Sequence, residues 1–187
     1  MPIFSKIIEG KKHQILFVHI PKSWGTTINE FFKFINYKSY FEPNKFFKKQ
    51  LKIPPQHYNY KILDSLLNLN KFSFSFTVVR NTFDKLISSY LWSLKYSSVF
   101  NKKFYSFEEW FDITLSNFKR NENFMANHII QQVKFVGPKI NSIYKFEVGI
   151  DKIILDILKK NNIEIKNLKI PILNKSDGNR NEIKRNL

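Results

Sequence analysis

Twice in this chain a short apolar run stops at a turn, and each turn opens at once into a segment with helical periodicity. The first run, HQILFVHI at residues 13–20, halts at Pro21 and reads as a buried parallel strand. Past the turn, TTINEFFKFI sets Ile28, Phe31, Phe32 and Ile35 at i, i+3, i+4 and i+7, one face of a helix. The second run, KFSFSFTVVR at residues 71–80, alternates and then turns continuously apolar, as a central strand does. Asn81 leads from it into a helix whose face carries Phe83, Leu86, Ile87, Tyr90, Leu91 and Leu94. YNYKILDSLLNLN reads as a helix closed by Asn70, residues 106–133 as helical, NSIYKFEV as a third core strand and DKIILDILKKNN as a further amphipathic helix. Between the first two units, residues 37–56 read as an irregular basic connection, and the tail after residue 170 as polar. Strands alternating with helices predict an α/β fold, a three-layer parallel sheet with helices on both faces, in one domain over residues 1–187.

Composition narrows the partners. Thirty-one Lys and Arg against fifteen Asp and Glu leave a formal charge of +16, which attracts polyanions: nucleic acid, acidic glycans, anionic membrane or a multiply charged cofactor. A basic surface with no specific partner is the plainer reading of the same charge. Twenty phenylalanines predict an aromatic-rich core. The chain has no cysteine, which excludes disulfides, thiolate metal sites and thiol nucleophiles. Neither a signal-peptide pattern nor an apolar stretch of about 18 residues occurs, so no membrane span is predicted and a cytoplasmic location is the default.

Chemistry concentrates at the two turns. Beyond the carboxyl ends of parallel strands, helix N-termini present unbonded N–H groups and a positive dipole end to ligands. In the first turn Lys22 adds a full charge, Gly25 permits close backbone approach, and Ser23, Thr26 and Thr27 add hydroxyl donors, a set suited to phosphate or sulfate. The bland alternative is a Pro-initiated loop with Thr26 or Thr27 as an ordinary N-cap. At the second turn Arg80 stands at the same sheet edge and can grip an anion bidentately. Ser88, two turns into the helix, reaches the same cleft if the helix leans over it. Arg80 paired with Asp84, and Ser88 solvated, is the alternative there. The order of residues is not that of a nucleotide P-loop, GxxxxGK[ST], because Lys22 precedes the glycine.

FVHIPKSWGTTI together with FTVVRNTFDKLISSYLW resembles the carbohydrate-type sulfotransferases, whose members carry a HIPKTGGTS-like loop and a VRNPxDRxxSxY-like segment. The resemblance implies a P-loop-like sulfotransferase architecture and a donor, 3′-phosphoadenylyl sulfate (PAPS), which departs as adenosine 3′,5′-bisphosphate (PAP). In that family the first loop binds the 5′-phosphosulfate, and the second segment binds the 3′-phosphate through its Arg and Ser. Carried to this chain, Lys22, Ser23, Gly25, Thr26 and Thr27 fall on the loop, and Arg80 and Ser88 on the segment. Trp24 stands where many relatives have glycine. It joins the cofactor-binding set as a shield for the phosphosulfate or a contact for adenine, and its bulk predicts ordinary backbone angles. Thr82 replaces a common proline, and Lys85 a usual arginine. The similarity continues through YKFEVGIDKI and ILNKS, which adds Asn174, Lys175 and Ser176 as site candidates and spans roughly residues 13–178. The chain stops at Leu187, short relative to the family. No metal is expected.

Sulfuryl transfer to an alcohol needs a proton acceptor, and histidine is best matched to neutral pH. His19 lies at the end of a buried strand, which suits a packed or orienting role; His13 precedes the strand and reads as exposed; His128 reads as structural, on a helix. His57 precedes the helix leading to the second turn, in an interval where related sulfotransferases often carry their base. It is the candidate catalytic base, with Glu30 or Glu42 as rivals, and Lys22 is the candidate to neutralise charge on the leaving oxygen. The acceptor implied is a hydroxyl, of a glycan, which the stretch Lys45–Lys52 could guide if it is anionic; no specific nucleic acid is implied. Two other readings stand beside this one: a nucleotide kinase, against which the missing GxxxxGK[ST] counts, and a non-catalytic polyanion binder, which the charge favours.

Overall fold

A computed structural model of the chain describes residues 3–41, 51, 53–96, 105–165 and 170. The chain opens with a hairpin. Strands β1 (Ile3–Ile8) and β2 (Lys11–Val18) run antiparallel, with Ile3 opposite Leu16 and Ile8 opposite Lys11. Glu9 and Gly10 make the two-residue loop, both at positive φ (48° and 74°), the backbone that follows the twist of the flanking strands. There follow α1 (Gly25–Phe34), β3 (Lys38–Tyr40), α2 (Tyr60–Leu66), β4 (Phe74–Val79), α3 (Thr82–Tyr96), α4 (Phe107–Arg120), β5 (Ser142–Lys145) and α5 (Ile150–Lys160). The strands form one sheet in the order β3-β1-β2-β4-β5.

The sheet is mixed, not wholly parallel as the sequence predicts. β2, β4 and β5 are parallel, with Phe17 opposite Phe76 and Thr77 opposite Ile143, whereas β1 runs antiparallel to both its neighbours, β2 and β3. A two-residue connection cannot carry a parallel crossover, so IFSKII had to pair as a hairpin. Among the described residues NSIYKFEV supplies an edge strand instead of a core one; β5 ends the strand order and none of its four residues is fully buried. β3 emerges from the stretch that reads as irregular connection.

Alternate side chains of β2 feed two cores, as the two-residue period of a strand requires. Ile15 and Phe17 pack with Ile28, Phe31 and Phe32 of α1 and with Ile153, Ile154 and Ile157 of α5. Leu16 and Val18 pack instead with Leu63 of α2, Ile130 and Phe135. Helices therefore flank the sheet, with β2 and its following turn between them. Ring stacking fills the first core: Phe4 lies 4.1 Å from Phe32, and Phe17 lies 4.8 Å from Phe76. A smaller cluster around Tyr90 and Trp110 joins α3 to α4.

Two helical expectations are shortened. α2 ends at Leu66, and Asn70 lies in a separate turn, Leu69–Lys71. The segment 106–133 is helical only to Arg120; beyond it the chain makes short turns at Phe124–Asn127 and Gln132–Phe135. His128 is thus not on a regular helix. Glu42, the lysines 45, 48, 49 and 52, and Asn174, Lys175 and Ser176 lie outside the described residues. Among the described residues no helix is long and apolar enough to cross a membrane.

Candidate active site

The turn after β2 departs from an ordinary helix start. Trp24 is the N-cap of α1, and it caps nothing: an indole has no acceptor to offer, and no side-chain cap bond is made. Thr26 and Thr27 are the second and third residues of the helix, so neither is the N-cap. Lys22 and Trp24 both have left-handed backbone (φ 67° and 59°) with Ser23 between them, the alternation that gathers successive N–H groups into an anion-binding concavity. Ordinary angles at Trp24 are therefore not what the fold uses; its ring stacks on Phe146 at 4.5 Å and 11°, which holds the strained backbone. Ser23 Oγ and Trp24 Nε1 are buried without a hydrogen-bond partner among the described residues. Donors left open beside an uncapped helix fit the oxygens of a phosphate or sulfate ester. Gly25 is required by space: a Cβ there would stand 1.9 Å from His19 Nε2.

The second turn is tied to the first. Arg80, buried at the end of β4, donates from Nη1 to the Lys22 carbonyl at 3.0 Å. Its Cζ lies 4.1 Å from the centre of the Phe146 ring. Gln132 holds the Arg80 backbone from both sides, accepting from its N–H at 2.9 Å and donating to its carbonyl at 2.7 Å. Asn81 caps α3 through Oδ1, which accepts from the N–H groups of Phe83 and Asp84, and its own N–H donates to Glu147. On α3, Lys85, Ser88 and Trp92 are spaced by three and four residues and so share a face. Ser88 is buried there, not solvated. Lys22 Nζ lies 5.9 Å from the centre of the Trp92 ring.

Three histidines stand in a row beside the loop. His57 meets His19 at 5.1 Å and His128 at 5.2 Å between ring centres, and Trp92 lies 4.6 Å from His128. His57 and His128 are buried, and His19 is packed against Phe17 and Gly25. Burial above all, with smaller pushes from positive charges that include Lys85 and Lys22 and against the opposing bond to the Ala126 carbonyl, brings His57 down to about 3; burial, with His57 as the next influence, holds His19 and His128 well below the usual range. All three are neutral imidazoles at pH 7. Buried Lys85 donates from Nζ to the His128 carbonyl, and burial lowers it to about 8. Met125, Ala126 and Asn127 are left-handed in succession (φ 54°, 51° and 67°). For Met and Ala this conformation costs roughly 1–2 kcal/mol each.

His13 differs from expectation: it lies within β2, is half-buried, and its Nδ1 is 2.9 Å from Tyr37 Oη. Glu30 sits on α1 paired with Lys33 at 3.2 Å. Among the described residues no cluster of His, Asp and Glu is arranged to hold a metal ion.

The model of the sulfotransferase family matches residues 5–180, nearly the whole chain. The chain belongs to the sulfotransferase family. Comparison with curated proteins finds no match, and comparison with solved structures finds none either. Membership makes sulfuryl transfer the general activity of this sulfotransferase. Within it, the fold brings Lys22, Ser23, Trp24, Gly25, Arg80 and His57 to one region, with Ser88 on the helix face that borders it. Trp92, Phe146, Gln132 and the pair Ala126–Asn127 also border this region; Trp92 closes the segment FTVVRNTFDKLISSYLW, but the sequence reading gave none of the five a role. For Phe146 a signal existed in the similarity of YKFEVGIDKI; for Ala126 and Asn127 none did.

Proposed function

We propose that this sulfotransferase moves a sulfuryl group from PAPS to a hydroxyl of a carbohydrate acceptor, on a three-layer, P-loop-like fold in the cytoplasm. The observation that supports this most is the convergence of an uncapped helix N-terminus, two open donors and Lys22 at the first turn with Arg80 of the second turn bonded to it, and His57 alongside. PAPS supplies an activated sulfate between two anionic ends. The N–H groups of residues 25–27, Ser23 Oγ and the Thr26 and Thr27 hydroxyls hold the 5′ side, while Arg80 and Ser88 hold the 3′-phosphate. Trp24, stacked on Phe146, offers a flat aromatic surface for the base. Lys22 neutralises charge as it gathers on the leaving oxygen. His57, neutral and buried, takes the proton from the acceptor hydroxyl; burial is the main cause of its low basicity, and a bound polyanion offsets the smaller share that comes from positive charges such as Lys85 and Lys22.

The second reading, a polyanion binder without chemistry, is favoured by the +16 charge. Calorimetric titration with PAP at moderate salt separates the two, with ATP and Lys22→Ala as controls. Selective PAP binding that weakens at least tenfold in Lys22→Ala supports the donor site. Binding that follows ligand charge alone and falls steeply with salt supports the polyanion binder.

A further inference from the structure

The turn at residues 125–127 is left-handed throughout, with Met125 packed on the Tyr90–Trp110 cluster and Asn127 buried. Helical backbone of ordinary hand was open to a sequence reading FMAN, and the chain forgoes it across three residues, none of them glycine. What the turn achieves is visible at His57. The Ala126 carbonyl lies 3.0 Å from His57 Nδ1. A carbonyl only accepts, so Nδ1 carries the hydrogen. At the other side of the ring, Gln56 Nε2 lies 3.4 Å from His57 Nε2; an amide nitrogen only donates, so Nε2 is the acceptor. Two separate contacts thus specify one tautomer. Asn127 holds the same residue by its backbone, donating from Nδ2 to the His57 carbonyl at 2.9 Å. Asn127 is fully buried, and its Oδ1 has no partner among the described residues. An asparagine is also the non-glycine residue that best tolerates left-handed backbone while carrying an amide donor.

We propose that the turn Met125–Asn127 is a clamp that fixes His57 as the Nδ1–H tautomer with Nε2 bare, and that Asn127 is a positioning residue for proton abstraction. The catalytic part of this rests on the sulfuryl-transfer reading; the tautomer does not. In transfer, the acceptor O–H proton passes to Nε2 as the new O–S bond forms and the S–O bond to the departing phosphate breaks, while Nδ1 keeps its hydrogen on the Ala126 carbonyl. The ring becomes a cation whose Nδ1–H bond to that carbonyl shortens as charge develops, so the clamp stabilises the protonated form as well as orienting the neutral one.

Long-range 1H–15N correlation spectra of histidine-labelled protein, with His57 assigned by its loss in His57→Gln, read the tautomer directly. Nδ1–H with a bare Nε2 in the wild type is expected, and Nε2–H overturns the clamp. Asn127→Gly keeps the backbone free to stay left-handed while removing the amide. It is expected to give a mixture of tautomers and at least a tenfold fall in kcat for PAP release from PAPS with a partly desulfated glycosaminoglycan as acceptor, and KM for PAPS within twofold. An unchanged tautomer and unchanged kcat in Asn127→Gly overturn the positioning role. If the wild type releases no PAP yet shows Nδ1–H, the clamp stands and the sulfuryl-transfer reading falls.

Discussion

Gly25 and His19 occupy each other's space: the imidazole fills the volume where any other residue would carry its Cβ. Substituting Gly25→Ala must therefore move either the turn or the histidine, and the turn is held by the Trp24–Phe146 stack. The expected result is a loss of about 1–3 kcal/mol in chemical denaturation together with at least tenfold weaker PAP binding, because the displaced ring also abuts His57. Unchanged PAP affinity in Gly25→Ala would show that the turn adapts freely. Residue type and spacing were enough to put Lys22, Gly25 and Arg80 at the two turns, where the fold has them, whereas His57 was singled out through the resemblance to sulfotransferases. The left-handed angles at Lys22 and Trp24 were not legible, since Lys and Trp have no preference for them; a contact with Phe146, more than a hundred residues away in the chain, decides the matter for Trp24.

Among the elements, those with strong period and clear stops appear where the sequence places them, α1, β4 and α3 above all. The hairpin was hidden because Glu9–Gly10 is a weaker turn signal than Asn-Gly and the following apolar run reads equally well as a parallel strand, which in its pairing with β4 it is. The segment after Arg120 was misread for a different cause: ANHIIQQ has helical composition, and the tertiary bonds to His57 and Lys85 override that propensity. The cost of that override is measurable at Ala126. Ala126→Gly removes the left-handed penalty while keeping the carbonyl, and, net of the extra freedom gained by the unfolded chain, should stabilise the protein by about 1 kcal/mol. For a domain of this size that is a rise of roughly 2–4 °C in Tm. A lower Tm for Ala126→Gly would mean the turn carries no strain.

For the molecule as a whole, three neutral buried histidines make acid the weak direction. Each has a folded-state pKa below the unfolded value of 6.5, so at lower pH the unfolded chain binds protons that the native chain refuses, and stability present above 6.5 is lost as pH falls, down to about 3 for His57. The loss by pH 5 reaches up to about 2 kcal/mol for each histidine. Lys85 adds nothing to this window, because below about 8 it is charged in both states. Urea denaturation at pH 7 and pH 5 reads the difference, and His57→Gln should flatten it; equal stability at the two values would mean the three rings are not held neutral. The hydrogen bond from Arg80 to the Lys22 carbonyl has a consequence of another kind. It ties the turn after β2 to the end of the neighbouring strand β4, so the gap between the two turns is set by the sheet. On the proposed donor site the molecule would work as a calliper: it would respond to the distance between two negative charges, and a nucleotide with a single phosphate, however well it fitted one jaw, would leave the other without contact.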